Sequence, residues 1–489
     1  MSLSDKTIHG VAWTIAAEAI VKCISPVSFL VLSRILAPDD FGVVAIATTV
    51  LSFVYIISDL GTGKVLVQLQ CDDEELKKYC DSSFWFNVSI GVFLYAIIFI
   101  FSDAIARYNN QPLATPVIKV MAAQVIFFSL STVQAALMNR EMNYKSLFYI
   151  RLVTVAVPAM LSIPIAFLGG GLWAIVIGNV GGSFFSMVAL WCYSSWKPKL
   201  RFGWSYLKRI FSKSMWSSFQ QIAVWLPLAF DTYLLSNLLS SHALGLYTTS
   251  RTLFVSVAAL VMSPILPVFF SALSRVEDEG RFKTMTLMAQ RTLFSFAAFI
   301  SLFVLIYSDL ICSILFNSKW DGIAELVRVF FVLMGYETFY SIITEALHSR
   351  GLFKELALNN MICTLISLVI LYYSAKTGLW AYTVARCSSL YFCYFGAFYF
   401  SRRYLGISFL DCVKNSGLTL TASIVVFIAY FALRHSSAAL YYPVLSVILI
   451  VAIAFYFYRE RDAISLVMSK FSFRRKKDAG SVIEEVQTV

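Results

Sequence analysis

Charged residues are scarce in this 489-residue chain. Only 14% of the residues are Asp, Glu, Lys or Arg, against 59% that are hydrophobic, and the mean hydropathy is +0.75. So little polar surface cannot cover a large water-soluble domain. The apolar residues form long continuous runs, whereas the strands of a membrane β-barrel alternate apolar and polar residues. The sequence therefore predicts an all-α integral membrane protein, in which every backbone polar group is satisfied within a helix.

Sequence motifs for catalysis and metal binding are also missing. The segment GTGK at 61–64 lacks the rest of a phosphate-binding loop, because Ser58 stands where its first glycine belongs and Val65 follows the lysine. The four histidines form no HExxH motif, there is no GxSxG motif, and the nine cysteines form no CxxC pair. We therefore expect no catalytic residue, no metal site and no cofactor, and we expect the cysteines to be reduced.

The apolar runs have the length of membrane-spanning helices, which need about 20 residues to cross about 30 Å of hydrocarbon. About fourteen spans are predicted, at residues 10–33, 41–58, 84–101, 114–136, 147–168, 172–194, 214–236, 243–271, 292–307, 324–345, 355–374, 379–400, 416–433 and 439–458.

Lys and Arg are unevenly distributed between the loops. With a cytoplasmic N-terminus, 28 of them lie in inside segments, five in outside segments and six within spans. Because cytoplasmic loops retain positive charge, we expect both termini in the cytoplasm and the protein in the bacterial inner membrane. This asymmetry also accounts for the net charge of +11, so nucleic acid is not an expected partner.

Two parts of the sequence resemble each other. Four residues recur after 203 positions: Trp13, Ser33, Leu36 and Gly42 correspond to Trp216, Ser236, Leu239 and Gly245. Further on, Ala136, Leu137 and Arg140 correspond to Ala346, Leu347 and Arg350 after 210 positions. Two parallel six-helix repeats related by an axis along the membrane normal would produce this pattern, and substrate would bind between them near mid-membrane.

The repeat divides the chain into four predicted segments. Residues 1–200 form an N-lobe with the first six spans, and residues 201–405 form a C-lobe with the next six. Residues 406–460 add two further helices, and residues 461–489 form a cytoplasmic basic tail. This tail is explained either by the positive-inside rule alone or by binding to anionic lipid.

Ionisable residues inside the spans are candidates for function, because a charge at membrane depth is costly. Those predicted to bind an anionic substrate in a basic cavity are Lys22, Lys119, Arg251 and Arg386. Those predicted to couple transport to an ion or to form ion pairs are Glu18, Asp231, Arg328 and Glu337.

Each candidate also has a purely structural interpretation. Glu18 and Lys22 share one helix face at i,i+4, so Lys22 either holds an anionic group or neutralises Glu18. Asp231 lies near a short turn at a depth similar to that of Arg251, and we expect an ion pair between them.

The remaining candidates also allow two interpretations. Long cations near helix ends, Lys119 and Arg328 above all, can instead extend to the membrane interface. Glu337 is either a proton or cation site or a hydrogen-bonded buried carboxyl.

The segment from Ser33 to Gln68 carries two short patterns. Residues 33–42 fit S-R-x-L-x-P-x-x-F-G, and residues 59–63 fit D-L-G-x-G. With the stretch AALMNREMNYKSLFYIRL, these residues resemble Wzx-type oligosaccharide flippases of the polysaccharide transporter branch of the multidrug/oligosaccharidyl-lipid/polysaccharide exporter superfamily. In detail the sequence is most similar to exporters of the colanic-acid type.

This resemblance implies a V-shaped bundle of two six-helix lobes plus two C-terminal helices, around a cationic cavity. It implies a flippase that moves a polyprenyl-pyrophosphate-linked oligosaccharide repeat unit from the cytoplasmic to the periplasmic leaflet by alternating access. The product would serve O-antigen, capsule or exopolysaccharide synthesis. Expected partners are the lipid-linked oligosaccharide, the bilayer, and a polymerase and chain-length regulator of the same pathway. The alternatives are a lipid II or drug exporter of the same superfamily and a membrane-embedded polysaccharide polymerase.

Overall fold

The computed structural model describes residues 24–59, 62–69, 71–141, 144–434, 437 and 440–458. These residues are helical almost throughout, and no β-strand occurs among them. The all-α class predicted from the long apolar runs is confirmed.

The helices follow one another with short connections. In chain order they are α1 (Ile24–Ile35), α2 (Pro38–Asp59), α3 (Thr62–Gln68), α4 (Asp73–Tyr108), α5 (Ala114–Met121), α6 (Ala123–Arg140), α7 (Tyr144–Phe167), α8 (Leu172–Tyr193), α9 (Trp204–Leu238), α10 (Ser241–Leu273), α11 (Glu279–Leu315), α12 (Ile323–Val329), α13 (Thr338–Ser349), α14 (Phe353–Ala375), α15 (Leu379–Ser389), α16 (Tyr391–Leu405), α17 (Phe409–Asn415), α18 (Gly417–Leu433) and α19 (Leu440–Tyr458). A 3₁₀ turn (Ser318–Trp320) precedes α12, and a π-helix (Phe330–Met334) follows it.

Many of these helices have the length and composition of membrane spans. Within the described ranges, nine are long and apolar enough to cross a bilayer. Two bent pairs, broken by 44° between α12 and α13 and by 73° between α17 and α18, raise the number to eleven. The protein is therefore a multi-pass membrane protein, and the predicted count of fourteen crossings stays a prediction.

The start of α2 shows how local chemistry sets a helix boundary. Pro38 occupies the first helical position, where its missing N–H costs nothing. The Asp40 carboxylate accepts a hydrogen bond of 2.9 Å from the backbone N–H of Ala37, and Asp39 adds a second negative charge to the positive end of the helix dipole. The helix therefore begins before the apolar run that predicted it.

Small residues allow α7 and α8 to pack closely. A Cβ atom on Gly178 would overlap the Ser162 hydroxyl, and one on Gly182 would overlap the ring of Pro158. Between helices in lipid there is no hydrophobic driving force, so the van der Waals contacts made at such close approach stabilise the pair instead. Pro158 lies inside α7 and is tolerated there, as prolines in membrane helices often are.

Two helices are irregular at positions that the repeat makes equivalent. A single non-helical residue, Ala122, separates α5 from α6. The residue 210 positions later, Val332, lies in the π-helix that follows α12. The end of each broken segment is also matched, because Leu137 and Leu347 are both buried. The sequence repeat thus has counterparts in helix geometry and in burial.

By internal contacts the chain divides into two compact units. The first contains the described residues within Met1–Pro264 together with Asp309–Phe330 and Lys354–Cys393. The second contains Ile265–Ser308, Phe331–Phe353 and the described residues from Tyr394 onward. The lobes at 1–200 and 201–405 follow the sequence repeat instead, and they stay a prediction.

Candidate functional site

A single carboxylate, that of Asp231 in α9, lies at the centre of a buried polar cluster in the first unit. The hydroxyl of Tyr382 donates to its Oδ1 over 2.6 Å, and the hydroxyl of Tyr247 donates to its Oδ2 over 2.9 Å. The Nε of Arg386 lies 3.2 Å from Oδ1 and 3.1 Å from Oδ2. The Asp231 carboxylate therefore links α9, α10 and α15.

Asp231 and its phenol partners are buried, so the carboxylate depends on these contacts for its stability. Asp231 is 3% exposed and Tyr382 is fully buried, while the side chain of Arg386 is 16% exposed. A charge in such a place is tolerated only when it is paired and its hydrogen-bonding capacity is filled. The two phenol donors and the guanidinium meet that requirement for Asp231. The cluster is an electrically neutral pair held between three helices.

The predicted partner of Asp231 was wrong. We expected an ion pair with Arg251, which lies close in sequence across the turn between α9 and α10. The carboxylate instead pairs with Arg386, 155 residues away in the chain. Sequence proximity could not reveal this partner, because only tertiary packing brings α15 to α9.

Arg251 is left with a different environment. It lies four residues after Tyr247, and therefore on the same face of α10. Its side chain is partly exposed, and it forms no ion pair or hydrogen bond with any residue in the described part of the chain.

Two predicted cations have partners outside this cluster. The Nη2 of Arg328 lies 2.7 Å from the Asp309 carboxylate, an exposed residue at the far end of α11. The ammonium of Lys119 lies 5.0 Å from the centre of the Phe99 ring, and Phe99 is 45% exposed. Both contacts fit cations that extend along a helix surface.

Three further candidates remain. Glu337 belongs to the second unit, at the residue preceding α13 where the broken span bends. Glu18 and Lys22 lie outside the residues that the structure describes.

The repeat counterpart of Lys22 is Trp225, and it joins α9 to α2. The indole Nε1 of Trp225 donates to the carbonyl of Thr49 and to the hydroxyl of Ser52, each over 3.1 Å. Its ring lies 4.6 Å from that of Phe53. Two turns further along α9, the hydroxyl of Thr232 lies 2.9 Å from that of Thr49. Helices from both predicted lobes therefore make direct polar contact here.

A second set of contacts joins the starts of α2 and α10. A Cβ atom on Gly42 would overlap the backbone carbonyl of Ser241, and a Cβ atom on Gly245 would overlap that of Pro38. Both pairs obey the repeat, because Pro38 corresponds to Ser241 and Gly42 to Gly245. The contact is therefore reciprocal, as expected when a two-fold axis passes between two equivalent surfaces.

Polar side chains strengthen this contact. The Asp39 carboxylate accepts a hydrogen bond of 2.8 Å from the Ser241 hydroxyl and lies 3.0 Å from Nδ1 of His242. Sequence reasoning missed these residues, because it searched the spans for charges and this contact lies at their ends. The recurring Gly42 and Gly245 were the signal that could have found it.

The ranges open to description contain no group of three or more His, Cys, Asp or Glu residues placed to hold a metal ion. The first unit contains the Asp231 cluster, the partly exposed Arg251, the polar contacts between α9 and α2, and the reciprocal contact between α2 and α10.

The apolar helices define a multi-pass membrane protein, which contains a buried ion pair and a reciprocal contact between α2 and α10. Comparison with known proteins identifies its family. A model of the polysaccharide biosynthesis protein family matches residues 31–325, so the chain belongs to that family.

Individual relatives are more distant. Lipopolysaccharide biosynthesis protein WzxC of Escherichia coli (strain K12) is 23% identical over 68% of this chain and 68% of its own. Succinoglycan biosynthesis transport protein ExoT of Rhizobium meliloti (strain 1021) is 23% identical over 59% of this chain and 58% of its own. The solved structure of the lipid II flippase MurJ, in an inward closed conformation, is 16% identical and covers 93% of this chain and all of that one, with a TM-score of 0.75. This last similarity concerns the fold.

Proposed function

We propose that the protein is a flippase for a lipid-linked oligosaccharide. It moves a polyprenyl-pyrophosphate-linked repeat unit from the cytoplasmic to the periplasmic leaflet, for synthesis of O antigen, capsule or exopolysaccharide. Membership of the polysaccharide biosynthesis family carries this proposal. A fold similar to that of a lipid flippase supports it.

The reciprocal contact between α2 and α10 supports an alternating-access mechanism. With the N-terminus in the cytoplasm, Asp39 and His242 lie at the periplasmic ends of their helices. Their contact then closes the path on that side, and the repeat unit enters from the cytoplasm. Outward release requires Gly42 and Gly245 to separate from the backbone that each now touches. A closure made of matched surfaces can open by rotation of one repeat against the other.

Among the proposed substrate cations, Arg251 is the best supported. It is partly exposed and unpaired within the described residues, so no partner in that part of the chain competes with a pyrophosphate oxygen for its donors. Arg386 already forms an ion pair with Asp231. In this proposal the pair keeps α15 packed against α9 during transport. Lys22 and Lys119 complete the proposed basic set, Lys22 on the first predicted span and Lys119 near the end of its helix.

The head group of the lipid explains why its transfer across the membrane needs a protein. A pyrophosphate and a hydrophilic glycan cannot cross hydrocarbon without a very large desolvation cost. A polar route between the repeats removes most of that cost while the polyprenyl chain stays in lipid. Outward movement of negative charge is also favoured by the membrane potential, by about 2.3 kcal/mol per charge for each 100 mV. A polymerase and a chain-length regulator would then use the delivered unit.

Gene deletion tests this function in the cell. Loss of the protein should remove a surface glycan and leave its lipid-linked unit on the cytoplasmic leaflet. A normal surface glycan, in a strain without a second exporter, would contradict the proposal. Accumulation of lipid II would instead identify the protein as a lipid II exporter. A translocated but unpolymerised unit would point to the polymerase alternative.

A further inference from the structure

A polar cavity of about 220 Å³ lies in the second unit, where α17 and α18 meet at 73°. Its polar lining comes from α11, α17, α18, α19 and the residue between α17 and α18, and it consists of Arg291, Lys414, Asn415, Ser416, Thr419 and Tyr456. At roughly 30 Å³ per water molecule, it holds several waters or one phosphate group with some water. Two of the lining residues are cations, and no lining residue is acidic.

The nearest carboxylate along the chain is already bound. Asp411, three residues before Lys414, accepts hydrogen bonds from the backbone N–H of Ser408 and lies 3.4 Å from the ammonium of Lys283. It forms the capping box that starts α17. Lys414 itself is exposed and has no ion-pair partner in the part of the chain that the structure describes. Within the described residues, the charge of Lys414 is therefore not neutralised.

The sequence places this cavity at the membrane surface. Arg291 is the last charged residue of α11 before an apolar run that reaches Asp309. Lys414 is likewise the last charged residue before an apolar run that reaches Arg434. Tyr456 lies in the last turn of α19, which contains no charged residue. The apolar spans predicted at 292–307, 416–433 and 439–458 thus each have one end here, at the depth where lipid phosphate groups lie.

We infer that this cavity binds the phosphate group of a membrane lipid. The two cations supply charge-assisted hydrogen bonds, and the hydroxyl and amide side chains of Ser416, Thr419 and Asn415 supply further donors. The hydrocarbon chains of the lipid then lie along the apolar parts of α11, α18 and α19. With both termini in the cytoplasm, the lipid belongs to the cytoplasmic leaflet. Its source is either an anionic phospholipid or a polyprenyl phosphate, and both present the same group.

Native mass spectrometry of the purified full-length protein tests the site. The probes are phosphatidylglycerol, undecaprenyl phosphate and, as a zwitterionic comparison, phosphatidylcholine. We expect the wild-type protein to retain one of the two anionic lipids preferentially. The double variant Arg291→Gln/Lys414→Gln should bind that lipid more weakly by on the order of 30-fold, since each cation near a membrane surface contributes about fivefold.

Two further variants distinguish a lost site from a damaged protein. Lys354→Gln removes an exposed cation in the first turn of α14 and should leave lipid binding unchanged. Arg291→Lys/Lys414→Arg keeps the charge and should retain most of the affinity.

If the double glutamine variant binds only one of the two anionic lipids more weakly than the wild type does, the result supports the site. It also identifies that lipid, phosphatidylglycerol or undecaprenyl phosphate, as the one that the site binds. Equal binding of all three lipids to the wild type, or unchanged binding in the double glutamine variant, would overturn the inference. Because the measurement involves no transport, its result does not depend on the flippase proposal.

Discussion

The Asp39 carboxylate lies 3.0 Å from Nδ1 of His242, and these two residues stand 203 positions apart, at equivalent places in the repeat. Residues that correspond by a two-fold axis and also contact each other must lie next to that axis. The contact therefore marks where the axis passes between the starts of α2 and α10. The glycines one turn further along each helix, Gly42 and Gly245, let the two backbones approach.

A chemical cross-link between these residues should stop transport. In an Asp39→Cys/His242→Cys variant, a short thiol cross-linker is expected to join the two cysteines, because the native side chains are in contact. Export of the surface glycan should then fall and recover when a cleavable linker is reduced. The variants that carry only one of the two substitutions are the controls, and the same treatment should not change the export by either of them. Full export by a protein that is completely cross-linked would contradict a moving closure.

Bulk at the glycine contact should have a related effect. Gly42→Val or Gly245→Val places side-chain atoms where the other helix has a backbone carbonyl, so the closed contact cannot form. We expect strongly reduced export by both variants, at similar levels, because the two positions are equivalent. Gly280→Val is a suitable control, since its nearest neighbour is the Asp278 side chain at 3.6 Å. Normal export by the Gly42 and Gly245 variants would show that the contact is not needed.

Breaking the buried ion pair should destabilise the protein. Arg386→Gln leaves the Asp231 carboxylate buried beside two phenols without its cation, at a cost of about 3–5 kcal/mol. The double variant Asp231→Asn/Arg386→Gln removes both charges and should lose less stability than Arg386→Gln alone. Thermal unfolding in detergent, followed by the loss of monodisperse protein, measures this difference. Equal or greater loss in the double variant would mean that the pairing is not what stabilises α15 against α9.

The two phenols can be compared directly. Tyr382→Phe and Tyr247→Phe each remove one hydroxyl donor to Asp231 and leave the rings in place. A hydrogen bond to a charged group contributes about 1.5–3 kcal/mol, so each variant should unfold at a lower temperature. Tyr382→Phe should have the larger effect, because its bond of 2.6 Å is the shorter one. Unchanged melting temperatures would show that the carboxylate finds other donors.

Arg251 should matter for transport more than for stability. Arg251→Ala is expected to lose most of its export activity at a normal protein level, whereas Arg251→Lys keeps a charge and should retain a measurable part. Lys22→Ala should behave like Arg251→Ala if both cations bind the pyrophosphate. Lys319→Ala changes an exposed cation in the 3₁₀ turn and serves as the control. Wild-type export by Arg251→Ala would remove Arg251 from the proposed site.

The sequence predicted the helices well and the side-chain partners poorly. The apolar run at 243–271 lies within α10 (Ser241–Leu273). The prediction is accurate here because a helix surrounded by lipid needs apolar residues along its length. The repeat of Gly42 and Gly245 also proved informative, since both glycines serve one contact. The partner of Asp231 was wrong because it lies on α15, and a single sequence carries no signal for a pair 155 residues apart. The contact of Asp39 with Ser241 and His242 was missed because polar residues next to a predicted span are common and form no distinctive pattern.

The most direct test of the account is translocation by the purified protein in liposomes. The lipid-linked unit, extracted from a deletion strain, is incorporated into both leaflets, and periodate is added outside to oxidise accessible sugars. In liposomes without protein only the outer-leaflet fraction should react, whereas the wild-type protein should expose nearly all of the lipid-linked unit. Liposomes with cross-linked Asp39→Cys/His242→Cys protein should behave like those without protein. If the wild-type protein leaves the inner-leaflet fraction unreacted, the protein is not a flippase for this lipid.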